Sequence, residues 1–292
     1  MNLKNRNLTA WLFVLPALLI FVGLVIIPIG WSLSLSTFRW NGISRATFVG
    51  FDNYIQMAGD RVFRQAFINS LIFSLGGAIV QLFFGMAMAV VLLSLPAFRN
   101  LTRAVFFIPS IISSVAISQI FAQLLAVNPE GIINGLLGLF GLSSYKTAFL
   151  GDPNLSLAIV TLVDAYKFCA IYMAIYYAAL ASIDGELIDA AHIDGANWLQ
   201  TLYQIRIPVI RGTVIATIVL VISGTLKGFD ISFIMTNGGP GVSSELVSTY
   251  LYKTLFNSSN FGYGSAIAVF LAVECLAAVL IIQSVFGAEE KR

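Results

Sequence analysis

A polar stretch separates two long apolar runs near the middle of the chain, and it reads Ile183-Asp-Gly-Glu-Leu-Ile-Asp-Ala-Ala-His-Ile-Asp-Gly-Ala-Asn-Trp-Leu-Gln-Thr-Leu-Tyr-Gln-Ile-Arg-Ile-Pro208. Asp184 can cap a helix whose first turn contains Glu186, where the helix dipole favours a negative charge. Gly195 supplies a turn and Asn197 can cap a second helix. Pro208 is expected to stop that helix from continuing straight into the next apolar run. The stretch is therefore predicted to form a short helical hairpin between two longer helices.

Apolar residues dominate the sequence on both sides of this hairpin. They make up 58% of the 292 residues, only 10% are charged, and the mean hydropathy is +0.89. A soluble domain is about 25% charged, and a water-soluble fold needs a charged surface. The surrounding solvent must therefore be lipid, which excludes an ordinary soluble enzyme, a disordered regulator and a disulfide scaffold. The small net charge of +2 argues against nucleic acid as a partner.

Six apolar stretches reach the length of about 20 residues that a membrane-spanning helix requires: 11–33, 68–93, 104–127, 157–182, 214–229 and 265–286. A seventh stretch, 132–142, is too short and rich in glycine, so we expect it to be interfacial or re-entrant. Lysine and arginine, including Lys291 and Arg292, are denser in the connections that lie inside when the N-terminus is inside. The sequence thus predicts an all-α polytopic protein, a single domain over 1–292, with both termini and the hairpin in the cytoplasm.

The sequence contains no recognisable motif for enzymatic chemistry. No glycine-rich phosphate loop occurs, and no histidine, cysteine and carboxylate spacing matches a metal site. No serine lies in a G-x-S-x-G nucleophile motif, and the only histidine, His192, lies in the hairpin. Cys169 and Cys275 lie in apolar runs and are interpreted as buried hydrophobic residues. We therefore expect no catalytic residue, metal or cofactor, which leaves transport, signalling or assembly.

Ionisable residues inside the apolar spans are candidates for function, because burying charge in lipid is costly. Asp164 and Lys167 are three residues apart in span four, and Lys227 lies in span five. At a rise of about 1.5 Å per residue, all three fall at one depth in the outer half of the membrane. They could line a polar cavity. Alternatively, Asp164 could pair with either lysine and lock the bundle together.

The hairpin itself has two interpretations. It could be a solvated connection whose larger apolar side chains pack under the bundle: Leu187, Ile193, Trp198, Leu202 and Tyr203. It could instead be a docking surface, because a short helix with exposed alanine and glycine fits closely into a groove on another protein.

The residues from Glu186 to Gln200, followed by Ile207-Pro208, resemble the E-A-A-x-x-x-G loop of ABC importer permease subunits. The resemblance is closest to the carbohydrate class, whose loop reads E-L-x-E-A-A-x-I-D-G-A and later I-x-x-P. Residues 49–54, 128–134, 236–240 and 261–266 are also similar to the first permease subunit of maltose-type and glycerol-phosphate-type systems. The resemblance implies the six-helix type I importer permease fold in a bacterial cytoplasmic membrane.

In that family the loop is a coupling helix that docks on a cytoplasmic ATPase subunit. The resemblance assigns residues 183–208 to this coupling loop and gives these motif positions: Glu186, Asp189, Ala190, Ala191, Asp194, Gly195 and Ala196. Asp189 stands where the family usually has glutamate, and Asp184 stands where a proline often precedes the helix. The expected partners are a second permease subunit, two ATPase subunits and an external solute-binding protein.

The resemblance also places sugar contacts on spans four and five. Together with the charged residues above, the candidate substrate-binding residues are Asp164, Lys167, Phe168, Ile171, Gly224, Thr225, Lys227 and Gly228. Tyr166, Phe168 and Phe229 could stack against sugar rings. The implied function is ATP-driven import of a carbohydrate, an oligosaccharide in particular. The alternative is an ion-coupled secondary transporter using Asp164 or Glu274, although the sequence shows no repeated halves of the kind such transporters contain.

Overall fold

The protein is described by a computed structural model that covers residues 3–95 and 99–286. The terminal Lys291 and Arg292 of the orientation argument lie outside the described residues. Helices account for most of the chain: α1 (Leu3–Phe21), α2 (Ile27–Leu35), α3 (Asp52–Gly59), α4 (Arg61–Ser94), α5 (Arg99–Ile111), α6 (Ser114–Leu124), α7 (Ile132–Leu139), α8 (Ser156–Ala181), α9 (Gly185–Ile193), α10 (Trp198–Gln200), α11 (Ile207–Val209), α12 (Arg211–Leu226), α13 (Asp230–Thr236), α14 (Val247–Tyr252) and α15 (Phe261–Phe286). π-helical turns join several of them: Val22–Ile26, Thr201–Arg206 and Lys253–Asn257.

Five helical segments of the described chain are long and apolar enough to cross a membrane, and a bent pair of helices makes a sixth. The five are Trp11–Leu35, Arg61–Ser94, Ser156–Ala181, Arg211–Thr236 and Phe261–Phe286. This confirms the predicted all-α membrane fold. The seventh stretch forms only the eight-residue helix α7, which is too short to cross.

One compact unit comprises the described residues up to Asp60 together with Leu251–Ala272. It contains a small departure from the all-α prediction, since β1 (Phe38–Arg39) pairs antiparallel with β2 (Thr47–Phe48). The buried Asn53 side chain donates hydrogen bonds to the carbonyl oxygens of Ser36 and Phe38, at 2.7 and 2.9 Å. These bonds tie α3 to the end of α2 and to β1.

The second unit comprises the described residues of Arg61–Tyr250 and those from Val273 onward. Its centre is the contact of α4 with α8, where Ala89, Ala170 and Met173 are fully buried. At Gly85 a Cβ atom would lie 2.9 Å from Cβ of Tyr172. Small residues at the contact let the two helices approach closely, as is common in membrane bundles.

Two of the predicted spans are broken in this unit. The stretch 104–127 was expected to be one crossing, but α5 and α6 meet at an angle of 91°. Ser113 has an extended backbone at the break, and its hydroxyl accepts a hydrogen bond from the Ala116 amide at 3.2 Å, which starts α6 as a new helix. Span five is likewise interrupted, because Lys227, Gly228 and Phe229 lie outside the helices α12 and α13.

The central hairpin has the predicted caps. The Asp184 carboxylate accepts from the Glu186 amide at 3.1 Å, Gly195 has φ of +83°, and Asn197 and Gln200 form a reciprocal capping box. The predicted stop at Pro208 is displaced by two residues, since the helical path ends at Val209 and breaks at Ile210. Proline is tolerated in the first turn of a helical segment, so Pro208, the second residue of α11, does not interrupt it.

Candidate functional site

A cavity of about 300 Å³ opens in the second unit where spans three and five are broken. Six of the eight predicted substrate residues line it: Asp164, Phe168, Gly224, Thr225, Lys227 and Gly228. The wall is completed by residues that include Gln81, Ser114, Tyr172, Phe229 and Asp230. The cavity therefore combines charged, amide, hydroxyl and aromatic groups within an otherwise apolar bundle.

Asp164 is the most deeply placed charged group of the cavity and is only 7% exposed. One of its oxygens accepts a hydrogen bond from the Gln81 side-chain amide at 3.0 Å, and Gln81 is itself 1% exposed. Among the described residues, Asp164 forms no direct salt bridge with Lys167 or Lys227, although the charge of Lys167 still attracts it. Sequence reasoning missed Gln81, although a side-chain amide in the middle of the apolar run of span two was a usable signal.

Lys167 lies beside the cavity without lining it. Its side-chain nitrogen donates to the carbonyl oxygen of Ile112 at 2.5 Å and lies 5.3 Å from the centre of the Phe168 ring. The Ile112 carbonyl belongs to the break in span three, where helical geometry leaves it without an intrahelical donor. Lys167 thus holds the broken backbone, which positions Ser114 at the cavity wall.

Two other predicted contacts point away from the cavity. Ile171 is 43% exposed and is absent from the cavity wall. Tyr166, expected to stack against a sugar, instead packs edge-on against Phe121 with ring centres 5.6 Å apart. Of the three residues predicted to stack, Phe168 and Phe229 line the cavity, and the ring of Phe229 is itself stacked on Phe233 with ring centres 4.9 Å apart.

The break in span five supplies backbone as well as side chains to the cavity. The Gly228 amide donates to the Thr225 carbonyl at 2.8 Å, and the Gly228 carbonyl accepts from the Ser248 hydroxyl. Unwound backbone at membrane depth is tolerated where protein satisfies it or where it lines a polar cavity. Gly228 is required sterically, because a Cβ atom there would lie 2.8 Å from the Phe73 ring.

Thr225 is less available than its sequence position suggested. Its hydroxyl lies 2.8 Å from the Ser74 hydroxyl and also donates to the Val221 carbonyl at 2.8 Å. Only 6% of the residue is exposed. The lysine next in the break, Lys227, is exposed and forms no hydrogen bond or ion pair within residues 3–95 and 99–286. Lys227 is therefore available as a hydrogen-bond donor in the cavity.

The hairpin exposes large apolar side chains and forms a second candidate surface. Four of the five apolar side chains that could have packed under the bundle are exposed, namely Leu187, Ile193, Trp198 and Tyr203, and only Leu202 is buried. Of the predicted coupling residues, Glu186, Asp189, Ala190, Asp194 and Gly195 are exposed and Ala196 is half-buried. Ala191 is buried at 6% exposure, so it packs against its own chain.

The sequence profile of the family described as the binding-protein-dependent transport system inner membrane component matches residues 81–288. The chain belongs to this family. The permease is 34% identical to the probable ABC transporter permease protein YurN of Bacillus subtilis (strain 168), over 98% of this chain and 99% of that protein. It is 31% identical to the diacetylchitobiose uptake system permease protein NgcF of Streptomyces coelicolor, over 94% of this chain and 81% of that protein.

The fold of the permease also matches a solved structure. A chain in the crystal structure of a bacterial alginate ABC transporter, in complex with an alginate pentasaccharide-bound periplasmic protein, superposes with a TM-score of 0.84. The match covers 96% of this chain and 94% of that chain at 22% identity. The predicted type I importer permease fold is confirmed.

Proposed function

We propose that this permease forms half of the translocation pathway of an ATP-driven bacterial importer for a carbohydrate, an oligosaccharide in particular. The observation that carries the proposal is the cavity at the two broken spans. It offers the Asp164 carboxylate as an acceptor, the Lys227 ammonium as a donor and the rings of Phe168 and Phe229 as apolar faces.

Sugars need this combination of groups. A pyranose ring presents hydroxyls that both donate and accept hydrogen bonds, together with an apolar face that packs on aromatic rings. Gln81 holds Asp164 in place through one oxygen, which leaves the other oxygen able to accept from a hydroxyl. The name of NgcF, a permease of a diacetylchitobiose uptake system, supports the same class of cargo.

The central hairpin is proposed to couple the permease to an ATPase subunit. Its tip exposes Ile193 to the extent of 86% and Leu187 to 43%. A protein partner that covers these side chains would gain the free energy of apolar burial, about 25 cal/mol per Å². The acidic side chains beside them, Glu186, Asp189 and Asp194, would add charge complementarity to a basic cleft. Ala191 would then position α9 without contacting the ATPase.

The remaining partners follow from the same architecture. A second permease subunit would complete the pathway, and an external solute-binding protein would deliver the sugar. Two cytoplasmic ATPase subunits, and not this chain, would bind and hydrolyse ATP. We place the N- and C-termini and the hairpin in the cytoplasm. ATP-driven closure of the ATPases would then shift the pathway between outward-facing and inward-facing states.

Uptake by the reconstituted complex tests this proposal. The permease, its partner permease, the ATPases and the binding protein are placed in liposomes, and entry of radiolabelled oligosaccharides is followed with and without internal ATP. We expect uptake only with ATP and with the binding protein. Uptake that persists without ATP and collapses with the proton gradient would instead establish the ion-coupled alternative.

A further inference from the structure

A second cavity, of about 230 Å³, lies between the end of α4 and the second half of the hairpin. Its wall consists of Val90, Leu93, Ser94, Trp198, Leu202 and Arg206. We propose that this groove binds the phosphodiester headgroup of an anionic membrane phospholipid, with Arg206 as the phosphate ligand.

Helical spacing builds the groove from two facing surfaces. Val90, Leu93 and Ser94 lie at i, i+3 and i+4 on α4, so they share one helix face. Trp198, Leu202 and Arg206 follow at steps of four residues along the opposing helical segment. The groove is therefore mostly apolar, with one charged residue, Arg206, and one hydroxyl residue, Ser94, in its wall.

Arg206 is the feature that indicates an anionic ligand. Its side chain is half-buried and makes no hydrogen bond or ion pair with any residue in 3–95 or 99–286. A partly desolvated cation without a counter-ion is unfavourable. The guanidinium group presents donors in a planar fork that matches a phosphate bidentately. The Ser94 hydroxyl donates to the Val90 carbonyl at 3.0 Å and keeps its lone pairs.

The surroundings of Arg206 favour a lipid over a free anion. Trp198 is 55% exposed at the groove, and tryptophan concentrates at the level of lipid headgroups. The aliphatic walls of Val90, Leu93 and Leu202 suit the glycerol and upper acyl carbons that follow a lipid phosphate. Basic grooves between helices on the cytoplasmic side are common headgroup sites. The inference rests on the proposed orientation, which places this end of α4 at the cytoplasmic leaflet.

The groove is also small. A typical pocket for a drug-sized ligand has a volume of about 300–1,000 Å³, so 230 Å³ fits a headgroup better than an oligosaccharide or a nucleotide.

Lipid retention by the assembled transporter tests the site. The complex is purified from vesicles of equal parts phosphatidylglycerol and phosphatidylcholine, and bound lipid is measured by native mass spectrometry without ATP or cargo. The unfolding midpoint is then followed during titration with each lipid and with inorganic phosphate. We expect selective retention of phosphatidylglycerol and stabilisation by that lipid alone. Equal retention of phosphatidylcholine, or equal stabilisation by inorganic phosphate, would contradict the proposal.

Two variants and a control sharpen the result. Arg206→Gln should raise the phosphatidylglycerol concentration for half-maximal stabilisation about tenfold or more, because a charged hydrogen bond is lost. Ser94→Trp should also displace the lipid by filling the groove, and it decides the matter if Arg206→Gln does not assemble. Arg45→Gln, an exposed arginine elsewhere, should leave retention unchanged. Unchanged retention in both groove variants would exclude the site.

Lipid retention is also compared before and after the ATPase subunits are removed. If phosphatidylglycerol is retained only after the ATPases are stripped from the permeases, the groove is covered by protein in the assembled transporter and the lipid assignment fails. Because retention is measured without transport, this outcome is separate from any failure of sugar uptake.

Discussion

The side-chain nitrogen of Lys167 lies 2.5 Å from the carbonyl oxygen of Ile112, at the 91° break of span three. A residue expected to touch the cargo therefore holds the backbone of a neighbouring helix instead. The cavity depends on this contact indirectly, because Ser114 follows the break and forms part of the wall.

Replacing Lys167 with methionine should destabilise the permease. The Ile112 carbonyl would lose a charged donor, and a hydrogen bond to a charged group is worth about 1.5–3 kcal/mol. The unfolding midpoint of the purified complex measures the effect. Lys146→Met is the matched control, since Lys146 pairs with Glu130 at a partly exposed site where such pairs are worth about 0–1 kcal/mol. Equal shifts in the two variants would argue against a structural role for Lys167.

Substitutions at Asp164 should separate its charge from its hydrogen bond. Asp164→Ala leaves the buried Gln81 amide without its acceptor and empties part of the wall, so we expect uptake to fall about tenfold or more. Asp164→Asn retains an acceptor for Gln81 and removes only the charge. ATP-dependent uptake is measured at matched levels of assembled complex. Normal uptake by the alanine variant would place cargo recognition elsewhere.

Gly228→Ala should impair folding of the break in span five. The added Cβ atom would lie 2.8 Å from the Phe73 ring and 2.9 Å from the Thr225 carbonyl oxygen, and both distances are shorter than normal contacts. Gly224→Ala is the control for stability, because nothing lies within 4 Å of its Cβ position. The yield and the unfolding midpoint of the complex should fall for Gly228→Ala only. Equal behaviour of the two variants would show that the break can relax.

Ala190→Arg should weaken docking of the ATPase, because a long charged side chain would replace a methyl group within the proposed docking surface. Pull-down of the ATPase and transport-linked ATP hydrolysis are the measurements. Ala46→Arg adds the same charge at an exposed site outside the hairpin and serves as the control. If the ATPase associates equally with both variants, the coupling assignment fails.

Much of the architecture could be predicted from local sequence. The long apolar runs identify the spans, because lipid requires continuous apolar helices. Asp184, Gly195 and Asn197 predicted the hairpin turns because capping depends on residues only a few positions apart. Six of the eight residues predicted for the substrate site line the cavity. Depth along the two helices indicated Asp164 and Lys227, whereas the resemblance to the permease family supplied the rest: Phe168, Gly224, Thr225 and Gly228.

The sequence by itself determined the solvent, the helical class and the two regions where charge concentrates, because each depends on composition or on spacing along one helix. Only the tertiary structure decided which hydrogen-bond partner each buried charged group has. Asp164 accepts a hydrogen bond from Gln81 of span two, and Lys167 donates one to the Ile112 carbonyl of span three. Lys227 forms no hydrogen bond or ion pair with any residue that the structure describes. The breaks of spans three and five belong to this second group. Some of their backbone carbonyl groups accept hydrogen bonds from side chains in distant parts of the chain, namely Lys167 and Ser248.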